Sequence, residues 1–320
     1  MNIVYFGSPQ LSKELLERLV NQGLTIKFIV TQPDKASGKR LEVTSTPVKN
    51  YALSHHIDYF DKPLKDNEGD LLEMLKSKDI ELGILFAYGE ILSRKLLTSL
   101  KHGIWNIHPS LLPKYRGPAP IVYPLLAGDV ETGSTLMQMN EKLDEGDILI
   151  QRSIPIRASI KRPELENELV DLAAQEIVDA LSLLKTNMLR SKQQDSSFAT
   201  YTKLLKKDDG FISKEFLSQA LNNKNITFEQ LPRIIQQYFS KNGIVGNKSY
   251  NAGLILYHLW QGLDPWPGVW TIINVGGKEK RLKIIEIKFQ NKNLQLETVQ
   301  LEGKNPVNFY IFKRAYNKFI

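Results

Sequence analysis

The sequence predicts an α/β protein: a parallel sheet covered by helices on both faces, followed by a small β-barrel. Three observations carry this. The first 110 or so residues alternate short apolar β-rich runs with helix-like stretches, the pattern of βαβ units. Near the C-terminus, four short β runs are separated by Gly-Gly, Asn-Lys-Asn and Gly-Lys-Asn, the punctuation of a barrel. A length of 320 residues suits about two domains.

Taken in order, residues 2–6 are β-rich, 10–19 carry a helical pattern and 25–30 read as a strand. Pro47 opens a helix running to about residue 55; 57–60 is a brief strand and 69–75 a helix. Residues 80–86 are an apolar strand, 91–100 a helix and 103–108 a further strand. A helical stretch then runs past Pro120 to Ala127, with strands expected at 135–139 and 147–156. Residues 165–184 form a long amphipathic helix whose acidic residues fall in its first part, the positive end of its dipole. The small polar run SKQQDSS at 191–197 reads as a linker. The barrel strands are 270–275, 282–289, 294–301 and 308–312. The domains are therefore 1–190, a linker at 191–211, and 212–320 with a polar, partly helical segment near 212–257.

Composition narrows the chemistry. Cysteine is absent, which excludes disulfides, thiolate nucleophiles and Cys-ligated metal centres. Only five histidines are present, so a multi-His metal site has few members, and no metal is expected. The first residues, MNIVYFGSPQ, do not read as a signal peptide, and no apolar run approaches the ~20 residues that cross a bilayer. A cytoplasmic protein with no membrane partner is expected. The net charge of +7 is unevenly placed: residues 1–190 carry −2 and residues 191–320 carry +9. That asymmetry points to a polyanionic partner for the C-terminal part.

In a parallel sheet, ligands sit beyond the carboxyl ends of the strands, so the loops after Phe86 and His108 are the places to look. The first turn, Phe6-Gly7-Ser8-Pro9, is not GxGxxG, and Pro9 removes a backbone donor. No P-loop, GxSxG or HExxH motif occurs. The polar concentration is Asn106 to Gly117. Asn106 and His108 are two apart near a strand end, so their side chains share a face. An amide donor beside an imidazole can hold a carbonyl oxygen as it gains charge, and imidazole moves protons near neutral pH. The plain structural alternative is a histidine bonded to backbone, with Asn106 capping a turn. A second stretch, Leu143-Asp144-Glu145-Gly146-Asp147, offers Asp144 as support for an imidazolium; the alternative is an ordinary acidic turn.

HPSLLPKYRGPAPI, two residues after Asn106 and followed by LDEG, resembles the signature of the folate-dependent formyltransferases. FGSPQLSKELL, TQPDKASGKR, LFAYGEIL, ETGSTLMQM and DPWPGVW resemble the branch of that family acting on methionyl-tRNA. The resemblance implies a Rossmann-like, doubly wound, mostly parallel sheet and an OB-like C-terminal barrel. It implies Asn106, His108 and Asp144 as the catalytic triad, 10-formyltetrahydrofolate as co-substrate and initiator methionyl-tRNA as acceptor. A sugar-nucleotide N-formyltransferase using the same donor is the alternative.

For the folate, Leu85, Phe86, Tyr88, Gly89 and Ile91, with Ser110, Leu111, Leu112 and Pro113, are expected to wall an apolar slot. For tRNA, the resemblance implies the loop at 32–47, with Lys35, Lys39 and Arg40 as its basic members. Lys206, Lys207, Lys280 and Arg281 are the candidates in the basic C-terminal part. Trp266 and Trp270 read as core or interface residues. Departures from the family pattern are Lys142, awkward if that position needs positive φ, and Glu145 in place of Thr. A monomer is expected.

Overall fold

The all-apolar strands of the first half are apolar because both their faces are covered. The computed structural model describes residues 1–37, 42–244, 249–291 and 293–316. The chain forms two compact units. The first comprises Met1–Arg116, Gly133–Ile154 and Glu166–Ala199; the second comprises Gly117–Thr132, Pro155–Leu165 and Thr200–Ile320.

Along the chain, the first unit opens with β1 (Ile3–Gly7), α1 (Gln10–Asn21), β2 (Ile26–Val30), β3 (Lys35–Ser37), β4 (Glu42–Thr44) and α2 (Pro47–Ser54). It continues with β5 (Tyr59–Phe60), α3 (Leu64–Ser77), β6 (Leu82–Phe86), α4 (Arg94–Leu97) and β7 (Ile104–His108). The short α5 (Val122–Ala127) lies in the second unit; β8 (Glu131–Gln138), β9 (Ile148–Pro155) and α6 (Arg162–Lys185) follow. The sheet order is β5-β2-β1-β6-β7-β8-β9. β1, β2, β5, β6 and β7 run parallel, and β8 is antiparallel to β7. This is the doubly wound arrangement expected, with its topological switch between β1 and β6.

Strand periodicity splits the interior into two cores. Tyr5, Ile84, Trp105 and Ile107 pack with Leu15, Tyr51 and Ile177 from α1, α2 and α6. Phe6, Phe28, Leu85 and Ile104 pack with Leu71 and Leu96 from α3 and α4. Asn106 and His108 have the parity of Ile104, so they belong to that second face. Caps set the helix ends: the Thr46 hydroxyl accepts from the Lys49 amide, with Pro47 in the first turn of α2. Ser93 caps α4, which is four residues rather than the ten expected over 91–100.

The second unit adds α7 (Lys214–Leu221), β10 (Asn225–Ile226), α8 (Arg233–Lys241), β11 (Tyr250–Asn251) and α9 (Ala252–Leu263). It ends with β12 (Val269–Val275), β13 (Lys278–Gln290), β14 (Asn293–Leu301), β15 (Val307–Asn308) and α10 (Phe309–Ala315). β12 to β15 form a four-stranded antiparallel sheet in chain order. The described residues of the polar 212–257 segment include two amphipathic helices and the start of a third. Phe216, Leu217, Ile234, Ile235, Tyr238 and Phe239 are buried, whereas the described Asn, Lys and Gln residues are exposed or half-buried.

Two expectations change. The strand read at 308–312 is mostly α10: the Asn308 side chain caps the Tyr310 amide, and Phe309 and Phe312 then fall at helical spacing. The linker expected at 191–211 is divided, its residues to Ala199 belonging to the first unit. Lys192 exchanges two 2.8 Å backbone hydrogen bonds with Ile148, so this polarity serves hydrogen bonding.

Candidate active site

β7 delivers Asn106 and His108 to the carboxyl edge of the sheet, two residues apart and on one face. The His108 Nε2 lies 3.0 Å from the Tyr115 carbonyl. A carbonyl only accepts, so Nε2 carries the proton and donates. The other nitrogen, Nδ1, faces the Asp144 carboxylate at 3.6 Å. This separation is an ion-pair distance when the ring is protonated and too long for a hydrogen bond. Asn106 is 7% exposed. Its carboxamide has no hydrogen-bond partner among the described residues, a nearly buried amide with its capacity unspent. The histidine therefore does bond backbone, as the plain alternative held, but Asn106 caps no turn. The acidic turn brings a carboxylate to the ring.

Asp144 sits at φ +52°, in the left-handed region. Asp and Asn tolerate that conformation better than most side chains. The strain expected at Lys142 falls instead on Asp144. The Lys142 ammonium lies 3.6 Å from Glu145, and the Lys142 amide donates to the Asn140 side chain at 2.9 Å.

The loop after β7 is held from beneath. The Thr135 hydroxyl donates to the Ser110 carbonyl at 2.7 Å and accepts from the Leu112 amide at 3.2 Å. Gln151 Nε2 donates to Thr135 Oγ1 at 2.8 Å and to the Leu112 carbonyl at 2.9 Å. Ser110 is buried and its hydroxyl donates to the Lys114 carbonyl at 2.8 Å. Sequence reasoning missed Thr135 and Gln151. Thr135 lies within ETGSTLMQM, but only strand pairing, His108 opposite Thr135, shows what it supports.

Of the proposed folate wall, Leu85 and Phe86 are spent on the two cores. Tyr88 is buried and packs edge-on against Phe6 at 5.8 Å between ring centroids. Its hydroxyl is buried without a hydrogen-bond partner among the described residues, and that burial pushes its ionisation well above the usual tyrosine range. Gly89 has φ +87°, and a Cβ there would lie 2.6 Å from the Gln32 amide nitrogen. Ile91 is 93% exposed. Leu112 is buried, while Leu111 and Pro113 are half-buried.

Of the basic candidates, Lys35 is exposed on β3 and donates to the Gln32 side chain at 2.9 Å. Lys39 and Arg40 lie outside the described residues. The base of their loop is fixed by Lys49, whose ammonium pairs with Asp34 and Asp61 at 2.8 Å each. In the second unit the Arg281 guanidinium stacks over Trp270, 4.7 Å from the ring centroid, and Trp270 Nε1 donates to the Lys207 carbonyl at 3.3 Å. Lys206 is exposed beside it. Lys280 is paired with buried Ile273, whereas Arg281 is paired with Ile272, so successive residues of β13 face opposite sides of the sheet. The structure thus brings Lys207 and Arg281 together and separates Lys280 from them. Trp270 is half-buried and Trp266 is 50% exposed, so neither is a core residue. Among the described residues no group of three or more His, Asp or Glu side chains is placed to hold a metal ion. No described helix is long and apolar enough to cross a membrane.

Comparison with known proteins gives concordant matches. The formyl transferase family model matches residues 1–181. The chain is 37% identical over 323 residues to the methionyl-tRNA formyltransferase of Thermotoga maritima, covering 99% of each chain. It is 28% identical to that of Geotalea uraniireducens, covering 99% of this chain and 95% of that one. Among solved structures, the N-formyltransferase from Helicobacter canadensis with folinic acid and dTDP-3-aminofucose superposes with a TM-score of 0.58 at 16% identity. That match covers 91% of this chain and 88% of the other, a likeness of fold. With a family model spanning more than half its length and a relative matched from end to end, the chain belongs to the formyl transferase family, among the methionyl-tRNA formyltransferases.

Proposed function

We propose that this protein transfers the formyl group of 10-formyltetrahydrofolate to the α-amino group of initiator methionyl-tRNA. The observation that carries the chemistry is the unspent Asn106 carboxamide beside a histidine whose Nδ1 faces a carboxylate. The full-length likeness to methionyl-tRNA formyltransferases supports the choice of acceptor.

The reaction makes one bond and breaks one. The amine nitrogen joins the formyl carbon, the bond from that carbon to the folate nitrogen breaks, and one proton passes from the amine to the departing nitrogen. An α-amino group has a pKa near ~8, and esterification to tRNA removes the neighbouring carboxylate charge, so neutral amine is at hand without a nucleophilic side chain. Asn106 Nδ2 donates to the formyl oxygen as it gains negative charge. Such a donor is worth on the order of 100–1000-fold. Because His108 Nε2 is committed to Tyr115, Nδ1 is the nitrogen that meets the reacting group. Asp144, facing Nδ1, accepts the amine proton on its way to the leaving nitrogen.

The test is formyl transfer from 10-formyltetrahydrofolate to methionyl initiator tRNA, with elongator tRNA and a nucleotide-linked amino sugar as the other acceptors. Initiator tRNA is expected to be formylated, with loss of at least about 100-fold in kcat for Asn106→Ala and for Asp144→Asn. Transfer to the amino sugar alone overturns the reading of the acceptor. Wild-type rates in the variants overturn the roles.

A further inference from the structure

Asp144 holds an uncommon backbone conformation, φ +52°, and such a residue persists only where its surroundings fix it. What fixes it comes from the segment that reads as a linker. Gln194 is 9% exposed. Its Nε2 donates at 2.8 Å to the Asp144 carbonyl and at 2.8 Å to the Gly146 carbonyl, the two on either side of Glu145. Its Oε1 accepts from Arg116 Nε at 3.2 Å and from Arg116 Nη2 at 2.8 Å. Carbonyls only accept and guanidinium only donates, so the amide has one orientation here. Arg116 is fully buried and extends Nη1 to the Glu145 carboxylate at 3.0 Å. Its Nη2 also donates to the Ser196 hydroxyl at 3.1 Å.

Arg116 follows Tyr115, whose carbonyl takes the His108 Nε2 proton. The dipeptide Tyr115-Arg116 therefore orients both partners of one pair. Tyr115 fixes the imidazole, and Arg116, through Gln194 and Glu145, fixes the backbone that aims the Asp144 carboxylate at Nδ1. Glu145, an acidic residue beside the triad carboxylate, has its charge directed to Arg116 and Lys142.

We propose that Gln194 and Arg116 are positioning residues that set the Asp144–His108 geometry for formyl transfer. The inference rests on the reading of Asp144 given above. A displacement of about 1 Å at a reacting group is worth on the order of 100-fold in rate.

The experiment is a double-mutant cycle on the full chain, with kcat and KM measured for both substrates. Gln194→Met keeps the side-chain volume and removes all four hydrogen bonds. It is expected to lower kcat by about 10- to 100-fold, with KM for tRNA and for the folate donor within about threefold of wild type. In the Asp144→Asn background the same change is expected to cost nothing further, because the group it aims is already disabled. Additive losses in the double variant, or a Gln194→Met enzyme with wild-type kcat, overturn the proposal. If Asp144→Asn alone retains wild-type kcat, the reading of Asp144 fails first and takes this inference with it. Glu145→Gln, at a part-exposed position, breaks the ion pairs to Arg116 and Lys142 but none of the four Gln194 hydrogen bonds, and serves should Gln194→Met not fold. Its smaller kcat loss must vanish in the same background, and persistence of that loss is equally decisive against the proposal.

Discussion

The Ser8 hydroxyl donates to the Tyr88 carbonyl at 3.1 Å and accepts from the Gln32 amide at 3.1 Å. One buried side chain thereby ties the end of β1 to the loop after β6 and to the residue that opens the loop at 32–47. The pair sits at the topological switch point, where a doubly wound sheet receives its ligand. Ser8→Ala leaves a buried carbonyl and amide without their partner, at a cost of about 1–3 kcal/mol. It also slackens the loop carrying Tyr88 and Gly89. We expect a lower Tm and a several-fold higher KM for the folate donor, with kcat little changed. An unchanged KM at lowered Tm would show that the Tyr88 loop does not wall the donor site.

Glu176 of α6 is fully buried, and among the described residues neither carboxylate oxygen has a hydrogen-bond partner. The Ser134 hydroxyl and the charge of Arg152 oppose the effect of burial, and Asp179 adds to it; burial dominates and raises the carboxyl to about 8. The folded state then keeps a proton that the unfolded chain releases near the ordinary glutamate value. Stability is full below that value and falls as pH rises toward 8, by a few kcal/mol at most. Glu176→Gln keeps the shape and removes the titration. Its Tm relative to wild type should rise between about pH 5 and pH 8 and level off above that in thermal melts. A difference independent of pH would mean that Glu176 ionises freely in the folded protein.

The first unit was legible because its signals are local. β1, β6 and β7 are short apolar runs whose period and flanks survive without knowledge of their neighbours, and Asn106 and His108 share a face by strand geometry alone. Asp144 stands out in its acidic turn as a candidate, but its pairing with His108 comes only from the family pattern, since the two lie 36 positions apart and only the fold closes that distance. What stayed hidden depends on tertiary hydrogen bonding. Gln194 stands in a small polar run with the composition of a flexible linker, and composition does not tell a hydrogen-bonded clamp from a solvated spacer. The helix α10 was hidden for another reason: Asn308-Phe309-Tyr310-Ile311-Phe312 suits a strand by propensity, and a single capping contact decides against it.

Arg281 and Lys280 are adjacent in sequence and face opposite sides of β13. Only Arg281 lies with Trp270 and Lys207. If that face tracks tRNA phosphates, removing one contacting cation lowers the slope of log Kd against log salt by roughly 1 and weakens binding of all tRNAs alike. Arg281→Ala is expected to do this, and Lys280→Ala to leave the slope unchanged. Filter-binding titrations between about 50 and 200 mM salt distinguish them. Equal effects of the two substitutions would place the RNA contact elsewhere on the sheet.

Gly146 ends the turn that carries Asp144, and a Cβ built there would lie 1.8 Å from the Gln138 carbonyl oxygen and 2.9 Å from its carbon. Both are backbone atoms of β8, and the Gln138 amide is itself bonded to the Asp147 carbonyl at 2.9 Å. Neither side can yield by turning a side chain, so Gly146→Ala must push the turn away from the strand. The Gly146 carbonyl is also one of the two that Gln194 holds. A shift large enough to relieve the overlap therefore breaks that contact and draws the Asp144 carboxylate from its 3.6 Å approach to His108. Stability should fall by about 1–3 kcal/mol, as for other overpacked sites, and kcat by on the order of 100-fold. Tm and kcat measured on the same preparation separate the two effects. A variant destabilised as expected but fully active would mean that the Asp144 turn is free to move during turnover, and that its position in the folded chain does not set the rate.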